Sequence, residues 1–250
     1  MSKQYLAAAR LLRQRIPVGL LEALQVLTAV AGNLDQAVQQ VQTAYCQQIQ
    51  DKTGISAAAA LEKLLRLHYD LDRVLNEVAR EQHTATELVL QRYATRKAEA
   101  LPHLCREVAH ATPIRYEPGY MGGHWLPLGR LTATLSPPHY CVVALNEWFE
   151  YEDYEGFDYA LDFWLAEIAT VIEQQLQLPV VAGYLRTARH LQEHFRASSK
   201  AKNLPQALRM KARIAKDPAF RAAEQGFDQS RPLLLETLYD YVQERVAEFP

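Results

Sequence analysis

Arg15-Ile16-Pro17-Val18-Gly19 and Lys52-Thr53-Gly54-Ile55-Ser56 are the two stretches on which the fold of this chain depends. They mark corresponding points of a repeat that runs from Leu11 to Val78 with a period of 37 residues and without a gap. A fixed period constrains many positions at once, so it predicts a fold more strongly than a single motif does. Other positions fall into the same register: Leu24 with Leu61, Leu27 with Leu64, Leu34-Asp35 with Leu71-Asp72, and Val41 with Val78.

Each copy of the repeat has the pattern of three short helices. In the first copy, Gly19 opens a helix whose apolar residues recur at helical spacing. Gly32-Asn33 ends that helix, because glycine tolerates the left-handed turn that follows a helix end. In the second copy, Ser56 is the expected cap of the middle helix and Asp70 begins the last one. The sequence therefore predicts two three-helix bundles in tandem.

The segment Leu27-Thr28-Ala29-Val30-Ala31-Gly32-Asn33-Leu34-Asp35-Gln36-Ala37-Val38 resembles the ubiquitin-associated-like (UBA-like) three-helix fold. Residues 11–80 look most similar to the amino-terminal domain of bacterial translation elongation factor Ts, and Lys52-Thr53-Gly54-Ile55 is similar to the loop between its first two helices. The resemblance implies tandem modules at residues 1–45 and 46–82.

The same resemblance implies that each module docks on a protein partner through its first loop and its last helix. The alternative is that both modules are packed helical scaffolds without an exposed site. Carried over by position, the partner-binding residues are Pro17, Val18, Gly19, Val38 and Val41 in the first module, and Thr53, Gly54, Ile55, Leu75 and Val78 in the second.

Composition and charge narrow the classes of partner. The formal net charge of -2 gives no overall attraction to nucleic acid or to an anionic membrane. The amino end lacks the pattern of a secretory signal, and no uncharged apolar stretch reaches about 18 residues. The three cysteines are odd in number and scattered, which favours a reducing compartment over a disulfide framework. We expect a cytoplasmic protein with no membrane association, and we assign no cofactor.

The carboxy-terminal part is predicted to be an α+β domain. A helix with a capping box at Thr84 and Glu87 forms a connector over residues 83–112. Beyond it, in a domain at residues 113–250, glycine and proline interrupt the chain every few residues. Four short segments between these interruptions have the pattern of a small antiparallel sheet flanked by helices. The predicted strands are Ile114–Tyr116, His124–Leu126, Arg130–Leu135 and Tyr140–Leu145. The predicted fold class is mostly α with an α+β carboxy-terminal part.

An acidic and aromatic run from Asn146 to Asp162 is the most unusual stretch of this domain. Three interpretations stay open. The aromatic side chains pack inside while the carboxylates face water, or the carboxylates form an acidic surface that binds a basic partner or mimics nucleic acid. In the third, they are catalytic or bind a cation, because acid/base chemistry needs carboxylates held close together. The catalytic candidates are Glu147, Glu150, Asp153 and Asp158, with His124 nearby.

The sign of charge reverses between Arg186 and Arg221, where basic residues far outnumber acidic ones. Such an excess binds phosphate backbones, or it complements the acidic run within one molecule or across a homodimer. The RNA-binding candidates are Arg186, Arg189, Arg196, Lys200 and Lys202.

Two His-x-Cys pairs offer the ligand types of a zinc site. On a strand, residues two apart share a face, so His139 and Cys141 can point at one ion. The spacing matches no usual zinc module, and a buried free thiol is ordinary in an apolar run such as that around Cys141. We therefore predict no metal site, and the candidates are His103, Cys105, His139 and Cys141.

The repeat and its family resemblance favour a non-enzymatic protein–protein interaction factor. Its tandem modules would dock on a protein, and the resemblance indicates the translation apparatus. The first alternative is an enzyme with an acidic and aromatic active site in the carboxy-terminal domain. The second is an RNA-binding protein that uses residues 186–221.

Overall fold

The helices near the amino terminus follow the 37-residue period. The computed structural model describes residues 3–112, 114, 117–118, 124–125, 131, 133–199 and 203–250. It contains two compact units, Met1–His83 and Thr84–Pro250. The amino-terminal unit has a 3₁₀ turn at Lys3–Tyr5 and the helices α1 (Leu6–Arg15), α2 (Leu20–Ala29), α3 (Leu34–Thr53), α4 (Ala57–Arg66) and α5 (Leu71–Gln82). Helices α4 and α5 begin 37 residues after α2 and α3.

Local hydrogen bonds explain why the helices begin where they do. The Asn33 side chain accepts from the N–H of Gln36 (3.1 Å) and caps α3. The Asp70 side chain accepts from the N–H of Arg73 (3.1 Å) and caps α5 in the same way. Each of these caps satisfies a donor that the first helical turn leaves without a partner.

The turn before each of these caps also recurs, with different residues. Ala31 and His68 have φ angles of 51° and 53°, and the next residues, Gly32 and Tyr69, have φ of 85° and 60°. A non-glycine residue in this region costs roughly 1–2 kcal/mol. Contacts of the Tyr69 side chain offset this conformational cost. Its ring packs against both apolar cores of the unit, and its hydroxyl accepts from the Gln42 amide (2.5 Å).

Two small apolar cores fill the unit. Every buried residue of the second core lies 37 positions after a buried residue of the first. Helix α3 is continuous, and its first half packs in the first core while its second half packs in the second. The predicted boundary between residues 45 and 46 therefore lies inside a helix. The paired core residues are Ala9 and Cys46, Leu12 and Ile49, Ala23 and Ala60, Leu27 and Leu64, Ala37 and Val74, and Val41 and Val78.

The carboxy-terminal unit is helical, so the predicted α+β class is wrong. Within the described residues, the only strand pairing joins β1 (Glu117–Pro118) and β2 (His124–Trp125), an antiparallel ladder two residues long. The helices are α6 (Ala85–Tyr93), α7 (Leu101–Ala111), α8 (Pro137–Glu155), α9 (Phe157–Ala160), α10 (Leu165–Thr170), α11 (Pro179–Ser199), α12 (Leu204–Ile214) and α13 (Pro218–Glu244). A π-helix spans Val171–Gln175, and 3₁₀ turns span Lys97–Glu99 and Val246–Glu248.

The strand predicted at Tyr140–Leu145 is part of α8. A continuous apolar run fits a buried strand and a buried helix equally well. Residues 140–149 are buried on every face of α8, so the sequence carries no amphipathic period there. The start signal is local: Ser136 accepts from the N–H of His139 (3.4 Å), and Pro137 and Pro138 fill the first turn, where no N–H is required.

The other predicted strands are also mostly absent from the described residues. Leu131 accepts from the N–H groups of Thr134 (3.0 Å) and Leu135 (2.8 Å), which is a helical turn. Ile114 belongs to no element, and His124 lies in β2. The predicted residues 115–116, 126, 130 and 132 lie outside the described residues.

The predicted connector, residues 83–112, contributes to the core of the carboxy-terminal unit. The capping box is confirmed: the Glu87 N–H donates to Thr84 Oγ1 (3.2 Å), and the Thr84 N–H donates to Glu87 Oε2 (2.7 Å). The Tyr239 hydroxyl on α13 donates to the Leu90 carbonyl on α6 (2.6 Å). The bond from Tyr239 attaches α6 to the last long helix of the unit.

The aromatic residues of the acidic run pack inside, around α8. Trp148 is 1% exposed, and its indole N–H donates to the Ala160 carbonyl (3.0 Å). The Trp148 ring meets Phe227 edge to face at 5.3 Å, and Tyr151 stacks on Phe163 at 3.9 Å. Tyr154 and Tyr159 are the exceptions, at 83% and 42% exposed. The aromatic half of this run is therefore structural.

Two helical glycines of this unit form a matched test of its packing. A Cβ at Gly183 would meet nothing within 4 Å, so Gly183→Ala should raise the free energy of unfolding by about 0.5–1 kcal/mol. A Cβ at Gly226 would lie 2.6 Å from Cε1 of Tyr184, so Gly226→Ala should lower it by about 1–2 kcal/mol. Urea unfolding followed by tryptophan fluorescence measures both, since all three tryptophans lie in this unit. Changes of the same sign would contradict the packing described here.

Candidate functional site

The predicted docking residues of the first module surround the loop between α1 and α2. Val18 and Val41 are buried in the first core and anchor the loop and α3. The Tyr45 hydroxyl donates to the Pro17 carbonyl (3.3 Å), which holds the loop against α3. The predicted residues that solvent reaches are Pro17, Gly19 and Val38.

Two leucines that sequence reasoning missed extend this surface. Leu20 and Leu21 form the first turn of α2 and are 41% and 63% exposed. Arg15 pairs with Asp35 (2.8 Å), which links the end of α1 to the start of α3. The loop is therefore flanked by two links to α3, one from Arg15 to Asp35 and one from Pro17 to Tyr45. We call Pro17, Gly19, Leu20, Leu21 and Val38 the amino-terminal docking surface.

The corresponding surface of the second module is less apolar. Ala57 and Ala58 stand at the positions of Leu20 and Leu21. Of the predicted residues, Val78 is buried. Gly54 is exposed, and Thr53, Ile55 and Leu75 are half-buried. The two modules share a fold but differ in the apolar side chains that this surface carries.

The catalytic candidates of the acidic run have separate partners. Glu150 accepts from the Asn146 amide (3.0 Å), Asp153 pairs with Arg231 (2.7 Å), and Asp158 pairs with Lys211 (2.9 Å). Glu147 is buried; burial is the main cause of the raised pKa of the Cys105 thiol, and the Glu147 carboxylate adds to it. Neither of the clefts described below is lined by these four carboxylates. His124 lies in β2, and its side chain is outside the described atoms.

Three of the RNA-binding candidates pair with carboxylates of their own unit. Arg196 binds Asp162 with two hydrogen bonds (2.6 and 2.5 Å), and Arg189 also donates to Asp162. Burial opposes ionisation of Asp162, but the hydrogen bonds from Arg196 and Arg189 outweigh it and lower its pKa. Arg186 pairs with Glu173. The acidic and basic runs therefore neutralise each other in part within one molecule. Lys200 and Lys202 lie outside the described residues.

The histidines of the two His-x-Cys pairs bind other groups. Arg106 donates to Nδ1 of His103 (3.1 Å), and Nε2 of the same ring lies 2.6 Å from the Tyr93 hydroxyl, on which the ring stacks. Nε2 of His139 donates to the Glu248 carbonyl (2.8 Å). Within the part of the chain that the structure describes, no group of three His, Cys, Asp or Glu side chains is placed to hold a metal ion.

The cysteines are free and buried. They are Cys46, Cys105 and Cys141. Burial, with a smaller contribution from Glu147 and Glu150, raises the pKa of Cys105 to about 12, and burial also raises the pKa of Cys141. Both thiols stay protonated at neutral pH and are poor nucleophiles. Among the described helices, none has the length and apolar character needed to cross a membrane.

Two adjoining clefts lie along α10 and share Ala166 and Glu167 as lining residues. The backbone is unusual just before α10 and just after the π-helix: Trp164 and Gln177 have φ of 50° and 56°. The larger cleft, about 520 Å³, is lined by Leu161, Asp162, Trp164, Leu165, Ala166, Glu167, Ala169, Arg186, Arg189, His190 and Glu193. The smaller, about 360 Å³, is lined by Pro137, Tyr140, Ala166, Glu167, Thr170, Val171 and Gln175. We call the smaller one the Tyr140 cleft.

The boundaries of the carboxy-terminal unit coincide with those of a known domain. The family model described as YfbN C-terminal domain matches residues 84–247, which is more than half of the chain. The chain belongs to this family. The YfbN C-terminal domain is thus the compact unit Thr84–Pro250 that holds α8 and both clefts.

The likeness to YfbN extends beyond this domain. The uncharacterized protein YfbN of Escherichia coli (strain K12) is 24% identical over 247 residues, which are 99% of this chain and 96% of the relative. The alignment therefore includes the amino-terminal unit as well. No solved structure matches the chain. The resemblance of residues 11–80 to UBA-like modules stays a prediction.

Proposed function

We propose that this protein is a non-enzymatic interaction factor that docks on another protein through its amino-terminal unit. The observation that carries the proposal is the exposure of Leu20 and Leu21 next to a loop held firmly against α3. Exposed apolar side chains on a rigid support are typical of protein contacts. The UBA-like resemblance assigns partner binding to the same loop and helix, and it directs the search to the translation apparatus.

The carboxy-terminal unit supports a non-enzymatic role in this proposal. Its candidate carboxylates bind arginine, lysine and amide groups of the same unit, and its thiols keep raised pKa values. Free cysteines are ordinary in the reducing cytoplasm, where we place the protein. The pairing of Asp162 with Arg189 and Arg196 leaves those arginines less available to phosphates, so RNA binding is not part of the proposed function.

A photo-crosslinking amino acid at position 21 of the full chain tests the proposal. We expect it to capture one protein in cells, and we expect the purified pair to bind when reconstituted. Leu21→Asp should weaken that binding by at least about tenfold, because loss of an apolar anchor at the centre of an interface commonly costs more than 1 kcal/mol. Fluorescence anisotropy of the labelled protein measures the affinity.

The repeat supplies a matched control for this experiment. Ala58→Asp introduces the same charge at the equivalent position of the second module, 37 residues away. We expect it to change the affinity by less than about threefold. Equal losses from the two substitutions, or crosslinking at position 58 but not at position 21, would show that the amino-terminal docking surface is not the contact. Circular dichroism checks that both variants keep their helices.

A further inference from the structure

The Tyr140 cleft contains a buried hydroxyl whose hydrogen bond is missing. Tyr140 is 8% exposed, and its Oη has no hydrogen-bond partner among the residues that the structure describes. Burial, with a contribution from the Glu167 carboxylate, raises the pKa of Tyr140 to about 12. The side chain therefore stays a neutral phenol. Buried polar groups are nearly always paired, so an orphan at a cleft wall points to a bound group.

The polar groups around this cleft have acceptor capacity to spare. The Glu167 carboxylate lines the cleft and pairs with none of the described side chains. The Gln175 oxygen accepts from the Tyr241 hydroxyl (3.0 Å), and a carbonyl oxygen has a second lone pair. The Thr170 hydroxyl donates a hydrogen bond to the Ala166 carbonyl (2.7 Å), so toward any further group it can act only as an acceptor. Between these groups, the walls are apolar.

We propose that the Tyr140 cleft binds a small primary amine with an apolar body. A protonated amine has three donor hydrogens, which complement the carboxylate of Glu167 and the oxygens of Tyr140 and Gln175. In this arrangement the Tyr140 hydroxyl accepts from the amine and directs its own hydrogen toward the Glu167 carboxylate. The volume of about 360 Å³ lies in the usual range of small-molecule sites, about 300–1,000 Å³. This inference concerns the YfbN C-terminal domain and is independent of the docking proposal for the amino-terminal unit.

The backbone around the cleft supports a binding role. Val171 and Gln175 belong to the π-helix, a form that is rare in proteins and occurs frequently at functional sites. The irregular turn continues beyond it, where the Leu178 N–H donates to the Ile172 carbonyl (3.0 Å). The widened turn places Val171, Gln175 and the α10 residue Glu167 around one cleft.

Three probes with the same apolar body test the proposal on the unaltered full chain. Hexylamine, hexanol and hexanoate differ only in the head group, and isothermal titration calorimetry near neutral pH measures their binding. We expect saturable binding of hexylamine at one site, at least about tenfold tighter than that of hexanol. Hexanoate should not bind, because its charge is the same as that of Glu167.

Variants then locate the site. Glu167→Gln should weaken hexylamine by about tenfold or more and leave hexanol unchanged, and Tyr140→Phe should weaken hexylamine by about threefold. Glu155→Gln, which removes an exposed carboxylate of α8 outside the cleft, should have no effect. Equal affinities for hexylamine and hexanol, no saturable binding of hexylamine, or an unchanged affinity in Glu167→Gln would overturn the proposal. The comparison of the three probes on the unaltered chain tests the proposal even if a variant does not fold.

Discussion

Trp148→Ala should lower the free energy of unfolding of the YfbN C-terminal domain by about 4 kcal/mol, the largest effect that we expect from a single substitution. The side chain is 1% exposed and contacts Phe149 and Phe227. Its removal leaves a cavity in the centre of the core. It also leaves the Ala160 carbonyl without the indole donor. Urea unfolding followed by the fluorescence of the remaining tryptophans measures the change.

Two further variants separate the contributions to this effect. Trp148→Phe keeps an aromatic ring but lacks the N–H, so we expect it to lose about 2 kcal/mol. Its free energy of unfolding should then lie between those of the wild type and Trp148→Ala. Tyr154→Ala truncates an aromatic side chain of the same helix that is 83% exposed, and it should change stability by less than about 0.5 kcal/mol. A loss below about 1 kcal/mol for Trp148→Ala would show that α8 is not the centre of the core.

Arg231→Gln should lower the stability of the same domain by about 2–3 kcal/mol at neutral pH. Arg231 on α13 pairs with Glu152 (2.8 Å) and Asp153 (2.7 Å) of α8, and its guanidinium lies 4.5 Å from the centre of the Phe149 ring. The Glu152 side chain is only 10% exposed. Removal of the arginine therefore leaves a buried carboxylate without its cation. Chemical denaturation of the full chain measures the loss.

The loss of stability caused by Arg231→Gln should depend on pH, and its direction follows from the pKa of Glu152. Burial raises the pKa of Glu152 in the folded domain, and Arg231 opposes that rise. Without Arg231 the pKa rises further. A carboxyl group whose pKa is higher in the folded state stabilises that state at low pH, and this contribution is lost as the pH rises through the folded pKa. The deficit of Arg231→Gln should therefore be largest at neutral pH and shrink as the pH falls toward about 4.5.

Two controls test whether burial is the cause. Glu152→Gln with Arg231→Gln should be about as stable as Glu152→Gln alone, because no buried charge remains. Arg96→Gln removes a partner from an ion pair with Glu99 whose side chains are more than half exposed, and it should cost less than about 0.5 kcal/mol. A deficit of Arg231→Gln that stays constant with pH would exclude the buried carboxylate as its origin.

Local signals in the sequence predicted much of the fold. Asp70, the expected start of the last helix of the second module, has a hydrogen-bonded cap, and Asn33 caps α3 in the same way. The capping box at Thr84 and Glu87 is present, and Asp217 accepts from the N–H of Phe220 (2.9 Å) at the start of α13. The sheet was wrongly predicted because α8 is buried on every face and lacks a helical period. Its capped and proline-rich start, Ser136-Pro137-Pro138, is the signal that identifies it as a helix.

The candidate sites were harder to predict than the fold. Leu20 and Leu21 belong to the same apolar pattern as the core residue Leu27, and only packing separates exposed from buried leucines. The Tyr140 cleft depends on a π-helix and on the left-handed residues Trp164 and Gln177. No glycine marks those two positions, so the sequence gives no warning of the irregular backbone there.

The continuity of α3 has a consequence for any partner that touches both modules. The helix has 20 residues and is about 30 Å long, and it contributes one half to each bundle. No flexible tether separates the bundles, so their spacing and relative rotation are set by helical geometry. A bivalent partner would gain avidity only if its two contact points match that spacing. For the same reason, proteolytic excision of a single module would sever a helix, and neither bundle is expected to fold in isolation.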